Sequence, residues 1–214
     1  MKHMRQFNEY LKMDIRSLFF YLIGTVILIS TYLICHANNI PLALLFRDPS
    51  SSGGLPFYAG WISYLGVAIW AAGSSIILFT SHFLKNTIRR YCLALGIFMM
   101  LLLIDDFFML HDGLFGVLHI PEILIYFVYG FFAIIVLKLA LQVLQPEEIF
   151  QLVTAFGLLG ISIGIDVFQA YLESHISNRI LFEDGFKLLG IIGLFFHSLT
   201  ISSKHLHQMK KIGL

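Results

Sequence analysis

The sequence predicts an all-α integral membrane protein, a bundle of six transmembrane helices with both termini cytoplasmic, and three observations carry that reading. Of the 214 residues, 58% are apolar and only 13% charged, the latter about half the share typical of a soluble domain. The apolar residues fall in repeated runs of about twenty, long enough to cross a hydrocarbon core of roughly 30 Å as a helix. The basic residues alternate between crowded and sparse connections, as the positive-inside rule requires of a polytopic chain.

The spans are drawn at about 17–36, 59–82, 90–111, 121–143, 149–171 and 183–203, with ends good to several residues. Lys2, Arg5, Lys12 and Arg16 precede the first. Lys85, Arg89 and Arg90 lie between the second and third, Lys138 near the inner end of the fourth, and Lys204, Lys210 and Lys211 after the sixth. With an even number of spans all of these fall on one side, the cytoplasmic one, leaving only Arg47, Arg179 and Lys187 outside. The expected location is the cell membrane, plasma or inner, crossed many times.

Breaks in the pattern agree. Arg47–Gly54 is polar and rich in serine and glycine, Pro121 opens the fourth span where its missing N–H is harmless, and Gln145-Pro146-Glu147-Glu148 makes a tight inner turn. The longest stretch between spans has about 22 residues, so residues 1–214 read as a single polytopic domain. The basic N-terminal stretch and following apolar run resemble a signal peptide without its small-residue cleavage site, and the first span is expected to stay. Cys35 and Cys92 fall on opposite sides of the bilayer, so they are not expected to pair. Gly160 and Gly164 form a GxxxG pattern that permits close helix approach, within the bundle or in a homo-oligomer.

Acidic residues gather on the outer side: Asp48, Asp105, Asp106, Asp112, Glu122, Asp166, Glu173, Glu183 and Asp184. Against three bases this leaves about six excess negative charges, a field that attracts cations. Net charge over the chain is only +1, and no nucleic-acid partner is expected. Membrane lipids are.

Four ionisable residues sit inside spans at one depth: Asp105, Asp106, Asp166 and Lys187. A charge in hydrocarbon costs at least ~2.5–3.5 kcal/mol at mid-span, so such residues face the bundle interior and pair. They are read as one site with catalytic or ion-handling character, the competing reading being an ion-pair network that fixes packing. Asp105, His111, Asp112, Glu183 and Asp184 are the candidate ligands of a divalent metal, oxygen donors favouring Mg, Mn or Ca and His111 admitting Zn. On an unbroken helix Asp105 and Asp112 lie roughly 20° apart but ~10 Å along the axis, so sharing one metal needs a break, for which Gly113 and Gly116 are candidates. Glu183 and Lys187 form an i,i+4 pair in the favourable order. His197 lies deep in the sixth span and reads as an interhelical hydrogen-bond partner, and Tyr126 and Tyr129 as a packing stripe.

These features point to an intramembrane enzyme using metal-assisted or direct acid–base chemistry on a lipid or lipid-linked substrate. The alternatives are a cation or proton transporter or channel, and a non-catalytic subunit whose charged network is structural. No established signature completes the enzyme reading: the aspartate-rich motifs of prenyl transferases and alcohol phosphotransferases are absent, as is the paired HxxxH of seven-span ceramidase-like hydrolases.

Overall fold

The computed structural model describes residues 60–110, 118–119, 121–172 and 179–212, together with scattered positions between 26 and 54. The chain divides into two units, Met1–Ala59 and Gly60–Leu214. In the first, Val26, Ile29, Ser30, Leu33, Ile34, His36 and Ala37 are helical, and a turn at Asn38 and Asn39 follows. Most of the expected span 17–36 lies outside the described residues.

The second unit is all helical among its described residues: α1 (Trp61–Phe83), α2 (Asn86–Phe108), α3 (Glu122–Val143), α4 (Pro146–Val167), the short α5 (Gln169–Leu172) and α6 (Arg179–Ile212). Five of these are long and apolar enough to cross a membrane. Their ends sit within about four residues of the drawn spans, except that α6 runs nine residues further. Its 34 residues make a rod of about 51 Å, against a hydrocarbon core of about 30 Å.

The distribution of side chains is that of a protein whose solvent is apolar. Phe79, Phe127, Phe131, Leu141 and Phe150 are 62–73% exposed, while Ser74, Thr80, Asp105, Ser162, His197, Ser198 and Ser202 are buried. In water the exposed rings would be costly; in lipid the buried polar groups are the ones that need partners. They have them. Thr80 Oγ1 donates to Ser202 Oγ at 2.8 Å, joining α1 to α6, and Tyr91 hydrogen-bonds His197 Nε2, joining α2 to α6.

The helices close a ring in which α6 packs against α4 and α1, α1 against α2, and α2 against α3, with α3 and α4 touching most lightly. Small residues set the closest approaches. A Cβ on Gly193 would stand 2.9 Å from Ala155 Cβ, and one on Gly190 2.6 Å from Leu159 Cγ and 3.1 Å from the Ala155 carbonyl, so this face of α6 lies almost on α4. Gly160 and Gly164 do not play that part within the bundle, since a Cβ on either meets nothing within 4 Å.

At the basic end, Gln145 and Glu148 form a capping box at the start of α4, with Pro146 in its first turn. Glu148 also takes an ion pair from Lys204 of α6 at 2.6 Å. The turn expected from Gln145-Pro146-Glu147-Glu148 is therefore a helix start braced by the neighbouring helix.

Candidate functional site

At the opposite end, where α1, α3 and α6 begin and α2 and α4 finish, the five long helices enclose a cavity of about 240 Å³. Its floor is aromatic. Phe98 of α2 stacks on Phe132 of α3 (6.4 Å, 13°) and meets Phe156 of α4 edge-on (5.8 Å, 81°). Leu102, Ala133, Leu159 and Ile163 complete apolar walls, and the polar groups gather above them.

Asp105, Asp106, Asp166 and Lys187 all line this one cavity, and so does Glu183. Each is placed by a few residues of helix. Asp105 and Asp106 occupy the last turn of α2, and their adjacency sends them about 100° apart around its axis. Asp105 is only 4% exposed and takes a hydrogen bond from Tyr129 of α3. Asp106 meets two other helices: Lys187 Nζ of α6 lies 2.6 Å from Oδ1, and Trp70 Nε1 of α1 donates to Oδ2 at 2.9 Å. Asp166, in the last turn of α4, accepts from Tyr126 of α3.

Lys187 therefore does not close the i,i+4 pair with Glu183 that the helix spacing suggests. Glu183 pairs with Arg179 one turn earlier, and Lys187 reaches across to α2, where Asp106 is held in the interior. A carboxylate already oriented by an indole N–H is the better partner for an ammonium removed from water.

The second correction concerns the helical phase of residues 105–112. Helix α2 ends at Phe108, and Met109 takes a left-handed conformation (φ 49°). The unbroken helix assumed from Asp105 onward therefore ends at Phe108, before His111, and Gly113 and Gly116 lie outside the described residues. His111 and Asp112 themselves lie outside the described residues, as does Glu173. Of the other candidate metal ligands, Asp105 and Glu183 line the cavity, whereas Asp184, one residue further around α6, is exposed and outside its lining. Among the described residues no three His, Cys, Asp or Glu side chains come together as a metal group.

Three members of the site escaped the sequence reading. Trp70 lies in an apolar run with nothing charged nearby, although a buried indole N–H calls for an acceptor. Tyr126 and Tyr129 were expected to be packing residues, yet both hydroxyls reach aspartates on the two helices flanking α3. The signal was their proximity to a depth already rich in carboxylates.

Below the cavity the core is closed. Leu95, Met99 and Leu194 are fully buried, and beneath them come Tyr91 and His197. His197 lies ten residues along α6 from Lys187, about 15 Å deeper.

The sequence model of a domain of unknown function, DUF8692, matches residues 19–201. The chain belongs to the DUF8692 family. The DUF8692 region takes in α1 to α5 and most of α6, and so includes every residue of the cavity. No curated protein and no solved structure matches the chain.

Proposed function

We propose that this DUF8692 chain is a multi-pass protein of the cell membrane, with six spans and both ends cytoplasmic, that acts on a lipid or lipid-linked substrate by acid–base chemistry in the five-helix cavity. The observation that carries the reading is the convergence of Asp105, Asp106, Asp166, Glu183 and Lys187, from three helices, on one cavity whose floor and lower walls are apolar. Such a space suits an amphiphile: hydrocarbon below, a polar group above.

Roles follow from the pairings. Asp105 and Asp166, each hydrogen-bonded to a tyrosine, are the groups placed to take a proton from the substrate and return one. Asp106 holds Lys187 and is held by Trp70, and the ammonium steadies an anionic part of the substrate. Orientation rests on Lys85, Arg89, Arg90 and Lys138, all exposed near the basic end.

Transport is the weaker reading because the apolar layer of Leu95, Met99 and Leu194 separates the cavity from His197 and Glu148. The test is lipid mass spectrometry on the purified protein reconstituted in total lipid extract. Wild type should convert a lipid species that Asp105→Asn and Asp166→Asn, still folded, leave unchanged. If wild type converts none, and cation flux into proteoliposomes is lost in both variants, the enzyme reading falls and transport replaces it.

A further inference from the structure

Resting on the lipid-site reading, we infer that the seam between α3 and α4 is a lateral portal through which one hydrocarbon chain of a membrane lipid enters the cavity from the bilayer. Helices α3 and α4 are neighbours in the ring yet pack on each other more lightly than any other neighbouring pair. Each places a glycine in the cavity wall, Gly130 and Gly160. Both glycines are exposed, and a Cβ on either meets nothing within 4 Å. The wall is thus thinnest where it carries no side chain, and beside it Phe127 and Phe131 turn outward at 70% and 62% exposure.

The seam is tied at its acidic end by the hydrogen bond from Tyr126 to Asp166. Gly130 lies one turn below Tyr126, about 6 Å along α3, and Gly160 about 9 Å below Asp166 along α4. The opening therefore sits at hydrocarbon depth, under a polar clasp at the level of the carboxylates. An aqueous ligand would meet the clasp first; a lipid chain meets the gap.

The occupant follows from size and lining. At about 240 Å³ the cavity is below the ~300–1,000 Å³ of pockets that enclose a drug-sized ligand. It has room for part of one chain, the remainder of the lipid staying in the bilayer. The aromatic floor of Phe98 and Phe156 stops that chain, and the clasp keeps the polar group at the height of Asp105 and Lys187.

The experiment uses the full chain in phosphatidylcholine bilayers doped with a phosphatidylcholine bearing a diazirine on one acyl chain. After irradiation, labelled residues are mapped by mass spectrometry. Wild type should carry label on Phe98, at the floor of the cavity, and on Leu102 in its wall. Gly130→Leu and Gly160→Leu, which fill the gap, should lose that label, while Ala72→Leu on the exposed face of α1 should keep it. Gly130→Ala and Gly160→Ala add a group that meets nothing, so their folds are secure, and together they should give a partial loss. Label on Phe98 that is equal in wild type and in all gap-filling variants overturns the portal and leaves the lipid-site reading standing. Absence of label from Phe98 in wild type overturns both.

Discussion

Asp106 of α2 and Lys187 of α6 face each other at 2.6 Å, across the bundle rather than along one helix. The same carboxylate accepts from Trp70 of α1, so one side chain fastens three helices at the level of the cavity. Removing Asp106 leaves two donors without their acceptor, whereas removing Lys187 leaves the carboxylate with one partner. Lys187→Met is expected to cost about 1–3 kcal/mol, less than the ~3–5 kcal/mol of a fully buried pair, because the lysine side chain is 36% exposed. Asp106→Ala should cost more. Unfolding in one fixed detergent, read as a double-mutant cycle, checks this; two single variants as stable as wild type would show that the pair contributes nothing.

The α4–α6 contact predicts an inversion of the usual glycine rule. Alanine normally improves a helix by roughly 0.5–1 kcal/mol over glycine. At Gly193 and Gly190 the added methyl would collide with Ala155 and Leu159, and the expected result is a loss of about 1–3 kcal/mol. Gly164→Ala, which meets open space, should be neutral or slightly stabilising. Thermal melting of the three variants side by side decides it.

His197 is completely buried, and among the described residues its Nδ1 has no hydrogen-bond partner, while Tyr91 meets its Nε2. Tyr91→Phe should therefore cost about 1–3 kcal/mol by stranding the second ring nitrogen. Adding His197→Leu removes the stranded group, and the double variant should regain part of the loss. A double variant worse than Tyr91→Phe alone would mean that the imidazole contributes through packing.

Glu148 serves two purposes that substitutions separate. Glu148→Gln keeps an acceptor for the Gln145 N–H and gives up the ion pair with Lys204, at an expected cost of about 1–3 kcal/mol, because the two side chains are 10% and 35% exposed, much as in the Asp106–Lys187 pair. Glu148→Ala gives up both, and about 1–2 kcal/mol more is expected. Equal melting temperatures for the two variants would count against the cap.

The orientation is open to cysteine labelling in intact cells. In a Cys35→Ser background, with Cys92 buried, a cysteine replacing His119 should react with a membrane-impermeant maleimide. One replacing Glu147 or Lys85 should react only after permeabilisation. The reverse pattern inverts the topology.

The residues best legible in the sequence were those that break a rule of their surroundings. Three carboxylates and a lysine inside apolar runs announce a common depth, and the structure brings all four to one cavity. The partners were not legible, because periodicity compares a residue with its own helix: Lys187 was given to Glu183, four positions away, when its carboxylate stands on α2. Trp70, Tyr126 and Tyr129 were missed for the same reason. The glycines show the limit in another form. Gly160 and Gly164 have the motif spacing, yet the close approach is made by Gly190 and Gly193, since spacing does not say which face meets a neighbour.

The outward-facing rings of Phe79, Phe127, Phe131 and Phe150 have a thermodynamic consequence. Their transfer energy depends on what surrounds the bundle, so the reference state of every substitution above includes the surrounding amphiphile. A stability difference measured in one detergent describes that protein–solvent pair. Comparison between variants is sound only when the solvent is held constant, as temperature and pH are for a protein in water.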